Sequence, residues 1–136
     1  HTPSQETAMT SIFSRILTAL VLAGAAAFAH ALDTKPYSAA ALTQAQQAGK
    51  PVAVLFHADW CPTCKTQEKV FQSLKAEPGL DVTVLVANYD TEKDLKRRMR
   101  VNSQSTLVVM RGDKETARLV GETAADKLRA ALKSAL

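Results

Sequence analysis

A chain of 136 residues is the length of one domain, and its formal net charge of +4 is too mild to indicate a nucleic-acid partner by itself. Its two cysteines, Cys61 and Cys64, stand too close together to form the long loop-closing framework of a disulfide-built domain. The densest basic run, Lys96-Arg97-Arg98-Met99-Arg100, is flanked by Glu92 and Asp94 and is read as the solvated face of a helix.

Taken in chain order, residues 1–8 precede a start at Met9 and read as a foreign remnant or a misplaced start, outside the domain. From Met9 a short basic start with Arg15, an apolar run over 16–28 and the exit Ala29-His30-Ala31 make the three parts of a secretory signal peptide. At 1.5 Å per residue the run is too short to cross a hydrocarbon core of about 30 Å comfortably. Cleavage after Ala31 is expected, with Ala29 as the nearby choice and an uncleaved membrane anchor as the alternative. No cysteine sits at the cleavage site, so nothing points to a lipid-anchored form. The domain then covers 32–136, enough for one modest core with a stability of order 5–15 kcal/mol.

Residues 37–48 are rich in Ala and Gln, with Ser38 to cap and Gly49 to stop, and predict a helix. Pro51 opens Val52-Ala53-Val54-Leu55-Phe56, a continuous apolar run that fits a strand buried on both faces of a helix-covered sheet. From Pro62 to about Ala76 the pattern is helical, with Val70, Phe71 and Leu74 on one face, until Pro78-Gly79 breaks it. Residues 82–87 predict a second buried strand. Thr91-Glu92-Lys93-Asp94 has the form of a capping sequence and opens a short helix carrying Leu95 and Met99. Residues 107–110 and 116–120 flank Arg111-Gly112-Asp113-Lys114, a hairpin turn. Thr123-Ala124-Ala125-Asp126 then caps a last helix carrying Leu128, Ala131 and Leu132. The order predicts an α/β domain with a mixed central sheet and helices on both faces.

The chemistry lies in Cys61-Pro62-Thr63-Cys64, placed just after a buried strand and at the opening of a helix. Cys61 falls at the helix N-terminus, where unpaired backbone N–H groups and the positive end of the helix dipole favour its thiolate. Cys64 lies one turn in, close enough to form a disulfide but more shielded. An exposed attacking thiol backed by a resolving thiol is the expectation. Pro62 suits the first helical turn, where its missing N–H costs nothing.

Phe56-His57-Ala58-Asp59-Trp60-Cys61-Pro62-Thr63-Cys64-Lys65 resembles the strand-to-helix signature of the thioredoxin family. The resemblance continues through Ala87-Asn88-Tyr89-Asp90, Thr106-Leu107, the turn at Gly112 and Val120-Gly121, and covers roughly residues 41–136. The Ala-Asp-Trp-Cys stretch is most similar to periplasmic and membrane-tethered thioredoxin-like domains that carry reducing equivalents. The resemblance implies a thioredoxin fold, with Cys61 as nucleophile, Cys64 as resolving thiol and Trp60 shaping a docking surface with Pro62, Ser105 and Thr106.

Three positions depart from the family pattern. Ser105 stands where members usually carry a cis-proline before the Thr-Leu of the next strand. A non-proline cis bond costs about 2.5–4 kcal/mol, so a trans peptide and a locally altered loop are expected. Leu55 and Val86 replace the buried acid and lysine often found beneath the motif, so Cys64 must lose its proton to solvent or a substitute base.

The expected reaction is dithiol–disulfide exchange with partner proteins, needing no metal or organic cofactor. The expected setting is a bacterial periplasm, with a monomer kept reduced by a membrane-bound thiol relay and no nucleic acid involved. Two alternatives stay open: Cu(I) binding or delivery by the two thiols, and a binding module with an idle disulfide. A complete zinc site needs about four ligands and finds these two thiols plus His57. Lys65 occupies the position after the second Cys where a c-type haem motif requires His. His57 is read as half-buried packing with one satisfied nitrogen ahead of a base or a tuner of Cys61, Lys65 as a solvated helix lysine ahead of a thiolate partner, and Asp59 as undecided between loop solvation and proton transfer. Trp60 is either core or docking surface. Pro62-Thr63 does not fix whether the pair reduces, oxidises or isomerises.

Overall fold

The computed structural model describes residues 31–136. The expected leader over 9–31 and the residues before it lie outside that span apart from Ala31. The elements are β1 (Asp33–Pro36), α1 (Ala39–Gln47), β2 (Pro51–His57), α2 (Pro62–Leu74), β3 (Thr83–Asn88), α3 (Lys93–Met99), β4 (Thr106–Arg111), β5 (Lys114–Val120) and α4 (Ala125–Lys133). They form one five-stranded mixed sheet in the order β1-β3-β2-β4-β5. β1 and β2 run parallel to β3, whereas β4 runs antiparallel to both β2 and β5.

The apolar run of β2 is buried on both sides, as its composition requires. Alternation sends Ala53 and Leu55 into a core with Phe71 and Leu74 of α2 and Leu128 and Leu132 of α4. Val52, Val54 and Phe56 point the other way, into a second core with Leu42 of α1 and Leu95 of α3. Two helices therefore cover each face. Arg129 in the middle of α4 donates to Glu77, just past the end of α2, at 2.7 Å through its Nε.

Four local readings need correction. β1 was not among the predicted strands. It is an edge strand of four mostly exposed residues, held through its backbone pairing with β3. Neither expected capping threonine caps its helix. Glu92 occupies the N-cap of α3 and makes no side-chain capping bond, while Asn88 Oδ1 turns the chain by accepting from the N–H groups of Asp90 and Thr91 at 2.9 and 3.3 Å. Ala124 occupies the N-cap of α4, and its N–H donates to Glu122 Oε1 at 3.0 Å. The buried face of α2 is Cys64, Gln67, Phe71 and Leu74, with Val70 only partly buried against the core.

The other punctuation acts as read. Ser38 caps α1, accepting from the Ala41 N–H at 3.0 Å. Gly112 takes a positive φ of 58° in the two-residue turn between β4 and β5, a conformation that costs glycine little. The basic run lies on α3, where Lys96 Nζ sits 3.9 Å from the centre of the Tyr89 ring. At the end of that helix Arg118 donates to the carbonyls of Met99 and Arg100 at 2.7 and 3.2 Å, satisfying acceptors that a helix C-terminus leaves unpaired.

Phe71 fills the core between α2, α4 and the sheet, so Phe71→Ala leaves a cavity and is expected to cost about 3–5 kcal/mol. Urea denaturation of the reduced protein should show a lower midpoint with an unchanged slope. A midpoint equal to that of the parent would mean that this packing does not hold the fold.

Candidate active site

The order of the strands decides what meets at the motif. β2 runs into the loop 58–60, and Cys61 becomes the N-cap of α2 in extended conformation, with φ −92° and ψ 115°. Its Sγ accepts from the Cys64 N–H at 3.2 Å, taking the place a serine or aspartate oxygen holds at other helix starts. Pro62 occupies the first turn, as expected. Because β4 is antiparallel to β2, with Phe56 opposite Thr106, the residue just before β4 arrives beside the start of α2. That residue is Ser105.

Ser105 bridges the two sulphurs. Its Oγ lies 3.2 Å from Cys61 Sγ and 3.0 Å from Cys64 Sγ, and the residue is only 2% exposed. The peptide before it is trans, in keeping with the cost of a cis bond without proline. The altered loop takes the form of a left-handed backbone at Ser105, with φ 61°. Three hydrogen bonds hold this conformation. The Ser105 N–H donates to the Phe56 carbonyl at 2.8 Å, and the Ser105 carbonyl accepts from the Gly121 N–H and from Gln67 Nε2, each at 3.0 Å. Gln67 also donates to the Glu122 carbonyl at 2.9 Å. A buried amide on α2 thus ties the Ser105 loop to the segment after β5. Gln67 was not singled out from sequence; a polar residue three positions after Cys64 on the inward helix face was the available signal.

Cys61 is not the exposed thiol that its position suggested. It is 2% exposed and Cys64 is fully buried, and both pack with Ala58 against Tyr89. Both are free thiols. Burial alone would push the Cys61 thiol up. It is outweighed by hydrogen bonds from the Cys64 thiol, the Ser105 hydroxyl and the N–H groups of Cys64 and Thr63, so the Cys61 thiol is held below its ordinary value. Burial pushes the Cys64 thiol up, and sharing its proton with the Cys61 sulphur raises it further against the smaller opposing effects of Ser105 and Ala58. The two thiols are therefore unequal, with the charge favoured on Cys61.

The remaining singled-out residues divide between surface and interior. Trp60 is 59% exposed beside the buried pair, and its Nε1 donates to Asp90 Oδ2 at 2.8 Å, which fixes the ring against the turn after β3. Pro62 is also exposed. Thr106 is buried, and its hydroxyl donates to the Ser103 carbonyl at 2.7 Å, so neither its side chain nor that of Ser105 faces solvent. His57 is largely buried with Nε2 3.1 Å from Asp59 Oδ1, while Asp59 and Lys65 are exposed. Leu55 and Val86 line a cavity of about 100 Å³ together with His57 and Glu68, but neither cysteine borders it. Ser105, and not that cavity, supplies the polar side chain at Cys64. Among the described residues, no group of three or more His, Cys, Asp and Glu is placed to hold a metal ion.

Comparison with known proteins agrees with this geometry. The family model described as Thioredoxin matches residues 34–134. The thioredoxin of Mycobacterium tuberculosis is 33% identical over 79 residues, covering 58% of this chain and 68% of that protein. The thioredoxin of Alicyclobacillus acidocaldarius is 30% identical over 93 residues, covering 68% of this chain and 89% of that protein. Among solved structures, that of Trxlp from Edwardsiella tarda superposes with a TM-score of 0.69 at 42% identity, covering 74% of this chain and 98% of the other. With its mixed five-stranded sheet and the Cys61–Cys64 pair at the start of α2, the chain belongs to the thioredoxin family of thiol–disulfide oxidoreductases.

Proposed function

We propose that the protein is an exported reductant or electron relay that exchanges its Cys61–Cys64 pair with disulfides of partner proteins. The observation that carries this reading is the inequality of the two thiols: Cys61 caps α2 and is held toward the thiolate, while Cys64 is buried and held toward the thiol. Such a pair is ordered for attack followed by resolution. The Cys61 thiolate attacks one sulphur of the partner disulfide, and the other leaves as a thiolate that takes a proton from water. Cys64 then loses its proton and attacks Cys61 in the mixed disulfide, releasing the second partner sulphur. Two electrons pass to the partner, and Cys61 and Cys64 are joined.

Export is supported by the leader-like pattern over 9–31 and by the burial of Leu32 in the core, so that a domain cleaved after Ala31 keeps its packing. The direction of flow is supported by the similarity of Ala58-Asp59-Trp60-Cys61 to domains that carry reducing equivalents. Docking is assigned to the exposed Trp60 and Pro62 with the backbone of the Ser105 loop. A membrane-bound thiol relay would regenerate the dithiol, and the exchange unit is a monomer.

The whole chain expressed in a bacterium tests this reading. With Cys64→Ser, mixed disulfides should accumulate on Cys61 in the periplasmic fraction, on a polypeptide beginning at Leu32. Cys61→Ser should form none and should reduce disulfides of a model protein at least about a thousandfold more slowly. Retention in the cytosol, or the absence of adducts from both variants, would contradict the proposal.

The pH dependence follows from the two shifts. Only the thiolate reacts, and a lowered value places half-deprotonation at a lower pH. Iodoacetamide should therefore label Cys61 at a rate that levels off below the pH at which an ordinary thiol titrates, while Cys64 should stay unlabelled until well above it. Equal labelling profiles for the two cysteines would overturn the assignment of roles.

A further inference from the structure

We propose that the Ser105 hydroxyl is a positioning residue for exchange, donating its hydrogen bond to whichever of the two sulphurs carries the negative charge. This rests on the exchange reading above and gives it a mechanism for handling charge without a buried carboxylate.

Among the described residues the hydroxyl meets the two sulphurs and no other group. The backbone N–H and carbonyl of Ser105 are satisfied by Phe56, Gly121 and Gln67, and the Oγ contacts Cys61 Sγ and Cys64 Sγ at 3.2 and 3.0 Å. The backbone sits at φ 61°, where a side chain is strained and glycine is not. A serine held there gains its hydroxyl at the cost of that strain.

In the resting dithiol the Cys64 thiol shares its proton with the Cys61 sulphur, and the Ser105 O–H donates to the Cys61 thiolate. Once Cys61 is joined to a partner it carries no charge, and the hydroxyl rotates to donate to Cys64 as that thiol loses its proton to solvent and attacks. In the reverse direction a donor thiolate attacks Cys61, the Cys61–Cys64 bond breaks, and the same O–H receives the departing Cys64 thiolate. Ser105 remains a hydroxyl throughout, so it contributes no electron and no net proton.

The other titratable groups at this end of the sheet are engaged elsewhere or face water. His57 meets Asp59, Asp90 accepts from Trp60, the Tyr89 hydroxyl donates to the Asn102 carbonyl, and Lys96 lies over the Tyr89 ring. Glu122 accepts from the Ala124 N–H and lies 3.8 Å from Lys127, and Lys65 is exposed. Gln67 Oε1 is buried and without a hydrogen-bond partner among the described residues, while its Nε2 anchors the carbonyl of Ser105 and with it the position of the hydroxyl.

Ser105→Gly removes the hydroxyl and relieves the backbone, and Ser105→Ala removes it while keeping Cβ. Both should fold, which the thermal midpoint checks. In each, the pH profile of Cys61 alkylation should move upward, giving a rate about tenfold lower on its acid limb, as loss of a hydrogen bond to a charged group requires. Stopped-flow reaction with a chromogenic aromatic disulfide should show resolution by Cys64 slowed by about the same factor. Unchanged profiles and resolution in folded variants, with the parent protein exchanging normally, would overturn the role of Ser105 and leave the exchange reading intact. A parent protein that forms no mixed disulfide would instead remove the exchange reading itself.

Discussion

In the proposed exchange the interior of this protein has to accommodate a negative charge on sulphur. A charge taken out of water is costly unless donors replace the water, and Cys61 is almost wholly buried. The donors come from separate parts of the chain. The start of α2 supplies backbone N–H groups, and the residue before β4 supplies a hydroxyl. Much of the architecture around the motif serves to bring these together. The antiparallel pairing of β4 with β2 places Ser105 beside the helix start, and hydrogen bonds from Gln67 and Gly121 hold it there in a left-handed conformation.

The same burial separates the roles of the two thiols. Desolvation acts against charge on both, but the donors converge on Cys61, so the thiol at the cap is held below its ordinary value and the thiol one turn deeper above it. Chemical asymmetry thus arises from position along one helix turn. Beside this buried pair stands the exposed Trp60, its ring fixed to Asp90, and the proposed docking surface is built on it. The positions beneath the motif that often hold an acid and a lysine are Leu55 and Val86, and they border a cavity that does not reach either cysteine. Polar support therefore comes from the Ser105 side of the pair.

Legibility in the sequence followed the strength of the local signal. The continuous apolar run at residues 52–56 and the cysteines at the following helix start each have one dominant physical reading, and the structure has both where that reading put them. β1 carried no such signal, because an edge strand of Asp, Thr, Lys and Pro joins the sheet through its backbone and has little apolar pattern to display. Thr91 and Thr123 looked like caps, but Asn88 and Glu122 reach nearby N–H groups, a competition decided by chain path and not by residue type. The exposure of Cys61 and the conformation of Ser105 depend on contacts between residues more than forty positions apart. Serine gives no hint of a left-handed backbone, and Gln67 on the inward face of α2 had meaning only once the carbonyls of Ser105 and Glu122 were seen opposite it.

The measurement that tests the redox pair most directly is its equilibrium with dithiothreitol and glutathione buffers of known potential, read by the fluorescence of Trp60, the sole tryptophan of the chain, and by counting thiols. A single two-electron transition is expected, with a tenfold change in ratio for about every 30 mV and a midpoint nearer thioredoxin's, about −270 mV, than the about −120 mV of a strong oxidant. A pair that stays in one state across the buffers, with neither fluorescence nor thiol count following the potential, would contradict a role in exchange.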